Sequence, residues 1–129
     1  MQDCLTIEQV QDPEVKSRIA SEVLLDLPDW FGLPESTKAF IEESKSLPLW
    51  VARIGREVVG FITLRESSPE TGEIHCMGVK KAYHRRGIGT RLYLALEEYA
   101  RKRYNYLYVK TVEEGRLLRP VVKSAIRAG

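Results

Sequence analysis

The sequence has few of the residues that build metal centres and disulfide frameworks. Its 129 residues include only two cysteines, Cys4 and Cys76, and two histidines. The cysteines lie far apart and form neither a Cys-x-x-Cys nor a histidine-paired spacing, so the sequence predicts no structural zinc site, no other metal site and no disulfide framework. We expect a reducing, cytoplasmic environment.

Long apolar runs are also missing. No stretch approaches the roughly 20 residues that span a bilayer. The N-terminus, with Gln2, Asp3 and Glu8, lacks the basic and then apolar pattern of a signal peptide. We therefore expect no export and no membrane partner. The composition is 43% apolar and 29% charged, which excludes disordered and fibrous chains and suits one domain over residues 1–129.

Charge is divided unevenly along the chain. Residues 1–78 carry 7 Lys+Arg against 14 Asp+Glu, a net charge of −7, whereas residues 79–129 carry 13 against 4, a net charge of +9. Such a division indicates an anionic partner: nucleic acid, a membrane surface or a phosphorylated small molecule. Nucleic acid is disfavoured, because the basic residues concentrate at one loop and one helix start instead of along a continuous face.

The spacing of apolar residues predicts an α+β fold in the order α-α-β-β-β-α-β. Asp12 and Pro13 give a start signal for the first helix, and Gly55-Arg56 is typical of a two-residue hairpin turn. The predicted helices cover residues 13–27, 35–46 and 89–102, and the predicted strands cover residues 49–54, 57–65, 73–79 and 106–111.

A basic glycine loop carries the clearest functional signal. The sequence from Val79 to Leu92 is VKKAYHRRGIGTRL. Gly87 and Gly89 allow a tight turn that brings several backbone N–H groups to one anion, and the following helix adds its first-turn amides and the positive end of its dipole. The spacing matches neither the Walker loop nor the dinucleotide-binding fingerprint.

This loop resembles the acyl-coenzyme A site of the GNAT superfamily of N-acetyltransferases. The family pattern is Gln/Arg-x-x-Gly-x-Gly/Ala, and residues 84–89, HRRGIG, fit it except for the histidine at the first position. Residues 73–79 resemble the family's fourth strand, and the order of elements from Pro13 to Thr111 resembles its layout. The resemblance implies a mixed, mostly antiparallel sheet flanked by helices.

The resemblance also implies an activity and a cofactor site. The expected reaction transfers an acetyl group from acetyl-CoA, the co-substrate, to a primary amine of a small molecule or a protein. The pyrophosphate would lie on the glycine loop and the pantetheine arm along the fourth strand. The implied cofactor-binding residues are Met77, Gly78, Val79, His84, Arg85, Arg86, Gly87, Ile88, Gly89 and Thr90.

The resemblance implies only a few residues for catalysis and for binding of the acceptor. Glu73 matches the place where many family members hold a general base, although a strand-end carboxylate facing water is an equal alternative. Strand alternation predicts that Glu73, His75 and Met77 share one face, with His75 close enough to assist and Cys76 buried on the other face. Residues 30 and 31, Trp30 and Phe31, are expected to line the acceptor pocket or to cover the sheet as a lid.

Residues 112–129 form an atypical tail that departs from the family. The family continues with a helix, which commonly supplies a tyrosine beside the thioester sulfur, and with two more strands, but the last tyrosine here is Tyr108. Either the tail results from truncation or altered reading of a longer gene and leaves strand 106–111 with a bare edge, or a second protomer completes the sheet. An exposed edge slightly favours a homodimer or an exchanged element. The alternative function is a catalytically impaired CoA-binding or regulatory module.

Overall fold

The structure is a computed structural model that describes residues 4–26, 34–83, 86–113 and 116–125. No helix in these ranges is long and apolar enough to cross a membrane. In chain order the elements are β1 (Leu5–Val10), α1 (Pro13–Leu25), α2 (Pro34–Ser44), β2 (Leu49–Ile54), β3 (Glu57–Ser68), β4 (Thr71–Val79), a single 3-10 turn (Lys81–Tyr83), α3 (Ile88–Arg101), β5 (Tyr106–Glu113) and β6 (Arg116–Ala125).

The six strands form one sheet in which spatial order follows sequence order from β1 to β6. Every neighbouring pair is antiparallel except β4 and β5, which are parallel. A parallel pair needs a crossover connection, and α3 provides it. The predicted mixed, mostly antiparallel α+β architecture is therefore confirmed.

Helices cover both faces of the central strands. On β2, Leu49 and Val51 pack with buried residues of α1, whereas Trp50 and Ala52 pack with α3. Successive side chains of a strand point to opposite faces, so this apolar run supplies two cores at once. The face of α3 that packs on the sheet repeats every four residues and consists of Ile88, Leu92, Leu96 and Ala100.

Two predicted local signals are confirmed. The Asp12 Oδ1 atom accepts hydrogen bonds from the backbone N–H groups of Glu14 at 2.8 Å and Val15 at 3.4 Å, which caps α1 at its predicted start. Gly55 has a φ of +62°, a left-handed conformation that favours glycine, in the turn that joins β2 to β3.

The sequence prediction missed both outer strands. β1 pairs with β2 along its whole length, and β6 pairs with β5 from Tyr106 to Glu113. The predicted bare edge of strand 106–111 is therefore wrong, because the same chain occupies it. A homodimer stays a prediction without that support.

Candidate active site

The sheet opens between β4 and β5. Their parallel ladder covers only Thr71–Glu73 on β4, opposite Tyr106–Tyr108, although β4 continues to Val79. Beyond Glu73, β4 is held in the sheet by its pairing with β3. The result is a cleft along one edge of β4 that begins at Glu73.

A β-bulge lies at the start of this cleft. Thr63 of β3 pairs with Cys76 and Leu64 pairs with Ile74, so His75 is an extra residue on β4. The bulge interrupts the alternation of side chains. Ile74 belongs to the core under α3, whereas Cys76 belongs to the core under α1.

The bulge overturns the predicted assignment of faces. The His75 ring lies against Phe40 and Glu43 of α2, on the same side of the sheet as Cys76. Met77 lies on the opposite face, because a Cβ atom built on Gly89 at the start of α3 would be 3.8 Å from its Cε atom. Met77 therefore does not share a face with His75, and Cys76 does.

The N-terminus of α3 lies beyond the end of β4 and has the features of an anion site. Its N-cap is Gly87, with a left-handed φ of +76°, and no side chain caps the helix. The first turn contains no acidic residue. The first helical bond runs from the Arg91 N–H to the Gly87 carbonyl, which leaves the amides of residues 88–90 without partners inside the helix.

Aromatic and acidic residues hold the chain leading into this N-terminus. The Arg86 guanidinium lies over the Tyr83 ring, 5.3 Å from its centroid, and the Tyr83 hydroxyl donates to Glu57 at 3.0 Å. The Glu57 carboxylate raises the pKa of Tyr83 through this bond. The backbone N–H of Lys81 donates to Asp26 at 2.8 Å. His84 and Arg85 lie outside the described residues.

Lys80, which precedes the 3-10 turn, forms its ion pair with a residue of α1. The Lys80 ammonium forms an ion pair with Glu22 and lies 3.9 Å from Glu57. Only 15% of its side chain is exposed. These contacts make it a tether between α1 and the loop.

Glu73 lies where the ladder between β4 and β5 ends, and it is buried. Its carboxylate accepts a hydrogen bond from the Arg65 guanidinium at 3.3 Å. The alternative of a strand-end carboxylate facing water is excluded by this burial. Glu73 is instead a buried carboxylate with a cationic partner at the mouth of the cleft.

His75 is clamped between two polar groups that the sequence analysis did not single out. Its Nδ1 atom is 2.9 Å from the Thr63 hydroxyl and its Nε2 atom is 2.6 Å from the Glu43 carboxylate. The Phe40 ring packs edge-on at 5.3 Å. Burial lowers the pKa of His75, although the hydrogen bond to Glu43 acts in the opposite direction.

The remaining predicted residues play smaller parts. Burial raises the pKa of the Cys76 thiol to about 12, so this thiol is not a nucleophile at neutral pH. Trp30 and Phe31 lie outside the described residues. Glu43, Thr63 and Arg65 carried no local signal in the sequence, because their partners on β4 lie 8 to 32 residues away.

Comparison with known proteins identifies the family of this fold. The sequence profile of the acetyltransferase (GNAT) family matches residues 7–118. The chain therefore belongs to the GNAT acetyltransferase family. No curated protein sequence matches the chain.

Solved structures of acetyltransferases share the fold. A protein of Pyrococcus horikoshii assigned as an acetyltransferase is 27% identical with a TM-score of 0.72, over 86% of this chain but only 40% of that one. The IAA acetyltransferase of Bacillus cereus is 26% identical, with a TM-score of 0.65 over 84% and 66% of the two chains. An aminoglycoside 6′-N-acetyltransferase complexed with coenzyme A is 25% identical, with a TM-score of 0.66 over 82% and 61%.

Proposed function

We propose that this chain transfers the acetyl group of acetyl-CoA to a primary amine of a small molecule or a protein. The observation that carries the proposal is the cleft between β4 and β5, which starts beside a buried carboxylate and runs toward the uncapped N-terminus of α3. A cofactor with a pyrophosphate at one end and a thioester at the other fits such a groove.

The residues present fit the anionic end of acetyl-CoA. The amides of residues 88–90 would hold the pyrophosphate, where the left-handed Gly87 turns the chain into the helix. Arg86, stacked on Tyr83, adds a charge-assisted contact. The pantetheine arm follows β4 at residues 77–79, and Met77 borders the phosphate site from the face of α3.

The reacting end lies near Glu73 and His75. The amine attacks the thioester carbonyl, so that a C–N bond forms, the C–S bond breaks and CoA leaves as a thiol. The amine must first lose a proton, because an ammonium group has no lone pair. The buried carboxylate of Glu73 and the half-exposed carboxylate of Glu43 are the two candidate bases on this face.

A direct test measures binding and turnover separately. Acetyl-CoA is expected to raise the Tm of the purified chain. Release of free thiol is then followed with a panel of an aminoglycoside, a polyamine and a peptide with a free N-terminal alanine, with at least one amine accelerating release tenfold or more over the amine-free control. Absence of acetyl-CoA binding at high micromolar concentration would contradict the proposal.

The second candidate function is a CoA-binding module without turnover. Only two residues separate β5 from β6, so the helix that the resemblance implies after the fifth strand has no place between them. The printed sequence has no tyrosine after Tyr108 that could take the place of the one implied by the resemblance. This candidate predicts a rise in Tm with acetyl-CoA and no thiol release with any amine of the panel.

A further inference from the structure

A chain of three polar side chains crosses the face of the sheet under α2. The half-exposed carboxylate of Glu43 meets the Nε2 atom of His75 at 2.6 Å, and the Nδ1 atom of His75 meets the buried hydroxyl of Thr63 at 2.9 Å. The side chain of His75 is only 2% exposed, whereas that of Glu43 is 53% exposed. One end of the chain is therefore open to solvent and the other is closed.

Counting protons sets the direction of these hydrogen bonds. The Thr63 hydroxyl has one hydrogen, and its contact with Nδ1 at 2.9 Å is shorter than its contact with the Cys76 carbonyl at 3.3 Å. In a neutral ring, Thr63 donates to Nδ1 and the Nε2–H donates to Glu43. The lowered pKa of His75 agrees with a neutral ring at pH 7.

This arrangement fixes the orientation of the Glu43 carboxylate. A neutral imidazole holds one carboxylate oxygen, Oε1, through its Nε2–H. The Oε2 atom takes no part in that bond. By contrast, the carboxylate of Glu73 is buried and already accepts a hydrogen bond from the guanidinium of Arg65, so an incoming amine reaches it less easily than the half-exposed carboxylate of Glu43.

The carboxylate also lies at the right place along the cleft. Its partner His75 comes two residues after Glu73, where the ladder between β4 and β5 ends. The His75 ring packs against Phe40 of α2. Glu43 therefore lies over the mouth of the cleft, on the face opposite α3.

We propose that Glu43 is the base that accepts the proton of the acceptor ammonium group, and that His75 and Thr63 are positioning residues that hold its carboxylate. This role rests on the proposed function. One proton passes from the ammonium nitrogen to Glu43 and on to solvent. The amine then forms the C–N bond as the C–S bond breaks. A second proton leaves the nitrogen and is taken up by the departing thiolate. The acetylated amine, CoA thiol and one proton in solvent are the products.

The test compares neighbouring carboxylates on one helix. In E43Q, kcat with the fastest amine of the panel is expected to fall about 100-fold or more, while KM for acetyl-CoA and Tm stay unchanged. The acidic limb of the pH profile should also disappear. The matched control is E42Q, because Glu42 lies next in sequence and pairs with Lys45 instead of His75; its kcat should stay within twofold of the wild-type value.

The positioning residues are tested by shape-matched variants. T63V removes the hydroxyl and H75L removes both ring nitrogens, and each should lower kcat about tenfold while KM for acetyl-CoA stays constant. H75Q keeps an N–H donor near the Nε2 position and should recover part of the loss. Because Arg65 and Glu73 also act on His75 electrostatically, the pH profiles of E73Q and R65M are recorded beside them.

Two outcomes overturn the role of Glu43, and they are distinguishable. An active wild-type chain whose E43Q variant stays within threefold of E42Q would overturn this role alone. A wild-type chain that binds acetyl-CoA but acetylates no amine of the panel would overturn the proposed function, and this role with it.

Discussion

Burial gives two neighbouring residues of β4 different chemistry. The Cys76 thiol is enclosed by apolar groups, and its pKa near 12 keeps it protonated. His75 is also buried, with 8% of the residue exposed, but each nitrogen atom of its ring has a polar partner. A buried polar group is tolerated when it is hydrogen-bonded, so the bulge at His75 provides a titratable group inside the fold.

The titration of His75 predicts how stability depends on pH. Its pKa is lowered in the folded chain below the usual 6.5, so the unfolded chain binds its proton at a higher pH than the folded chain. The stabilisation is complete above about pH 6.5 and is lost as the pH falls toward the folded pKa. One histidine contributes at most about 1.4 kcal/mol per pH unit.

Urea unfolding of wild type and H75Q from pH 7.5 to pH 5 measures this dependence. The difference in free energy of unfolding between the two proteins should move in favour of H75Q as the pH falls, since the variant has no proton to gain. Groups that do not interact with His75 titrate equally in both proteins and cancel in this difference. A difference that is constant over this range would contradict the buried neutral ring.

At the scale of elements, the structure explains which predictions from the sequence succeeded. β2 was predicted at its observed limits. Its apolar run lies between Pro48 and Gly55, and these two residues mark the two ends of the strand. β6 was missed because Pro120 interrupts its apolar run, and proline argues against a strand. β1 was missed although Leu5 and Ile7 alternate with polar residues as in a half-buried strand.

The same distinction holds within the candidate site. The uncapped helix N-terminus behind the glycine loop was predictable, because glycines and helix amides within a few consecutive residues create it. The contact between Glu43 and His75 was not, since it joins residues 32 positions apart. The bulge that puts Cys76 on the same face as His75 was not predictable either, because no local pattern in β4 marks it.

The N-terminus of α3 leads to a prediction in which stability and binding move in opposite directions. In G89E, the new Cβ atom would lie 3.8 Å from Met77, an ordinary contact. A negative charge in the first helical turn and the loss of a helical glycine should each stabilise the fold by about 0.3–1 kcal/mol. The same carboxylate would occupy the proposed pyrophosphate site and repel the pyrophosphate.

Calorimetry and thermal unfolding separate the two effects of G89E. We expect a Tm equal to or above that of the wild type and a Kd for CoA at least 50-fold higher. L94E is the matched control, since it adds the same charge at an exposed position further along α3; its Kd should stay within fivefold. A folded G89E that binds CoA as the wild type does would place the pyrophosphate elsewhere.

At the scale of the whole molecule, the acidic and basic parts of the sequence build different elements of the fold. The acidic first 78 residues build α1, α2 and nearly all of β1–β4. The basic remainder contains the basic glycine loop and builds α3, β5 and β6. The two parts meet where Lys80 pairs with Glu22 of α1. The net charge of +2 therefore conceals an acidic first part of the chain and a basic second part that contains α3.

This separation predicts that salt weakens cofactor binding through the phosphates. Screening at 500 mM salt confines electrostatic attraction to a few ångströms, so Kd for CoA should rise about tenfold between 50 and 500 mM NaCl. Dephospho-CoA, which lacks the 3′-phosphate, should show a shallower slope, and R86Q should show a shallower slope with both ligands because it removes a cation next to Gly87. Equal Kd values across the salt series would contradict an electrostatic contact between the phosphates and the basic second part of the chain.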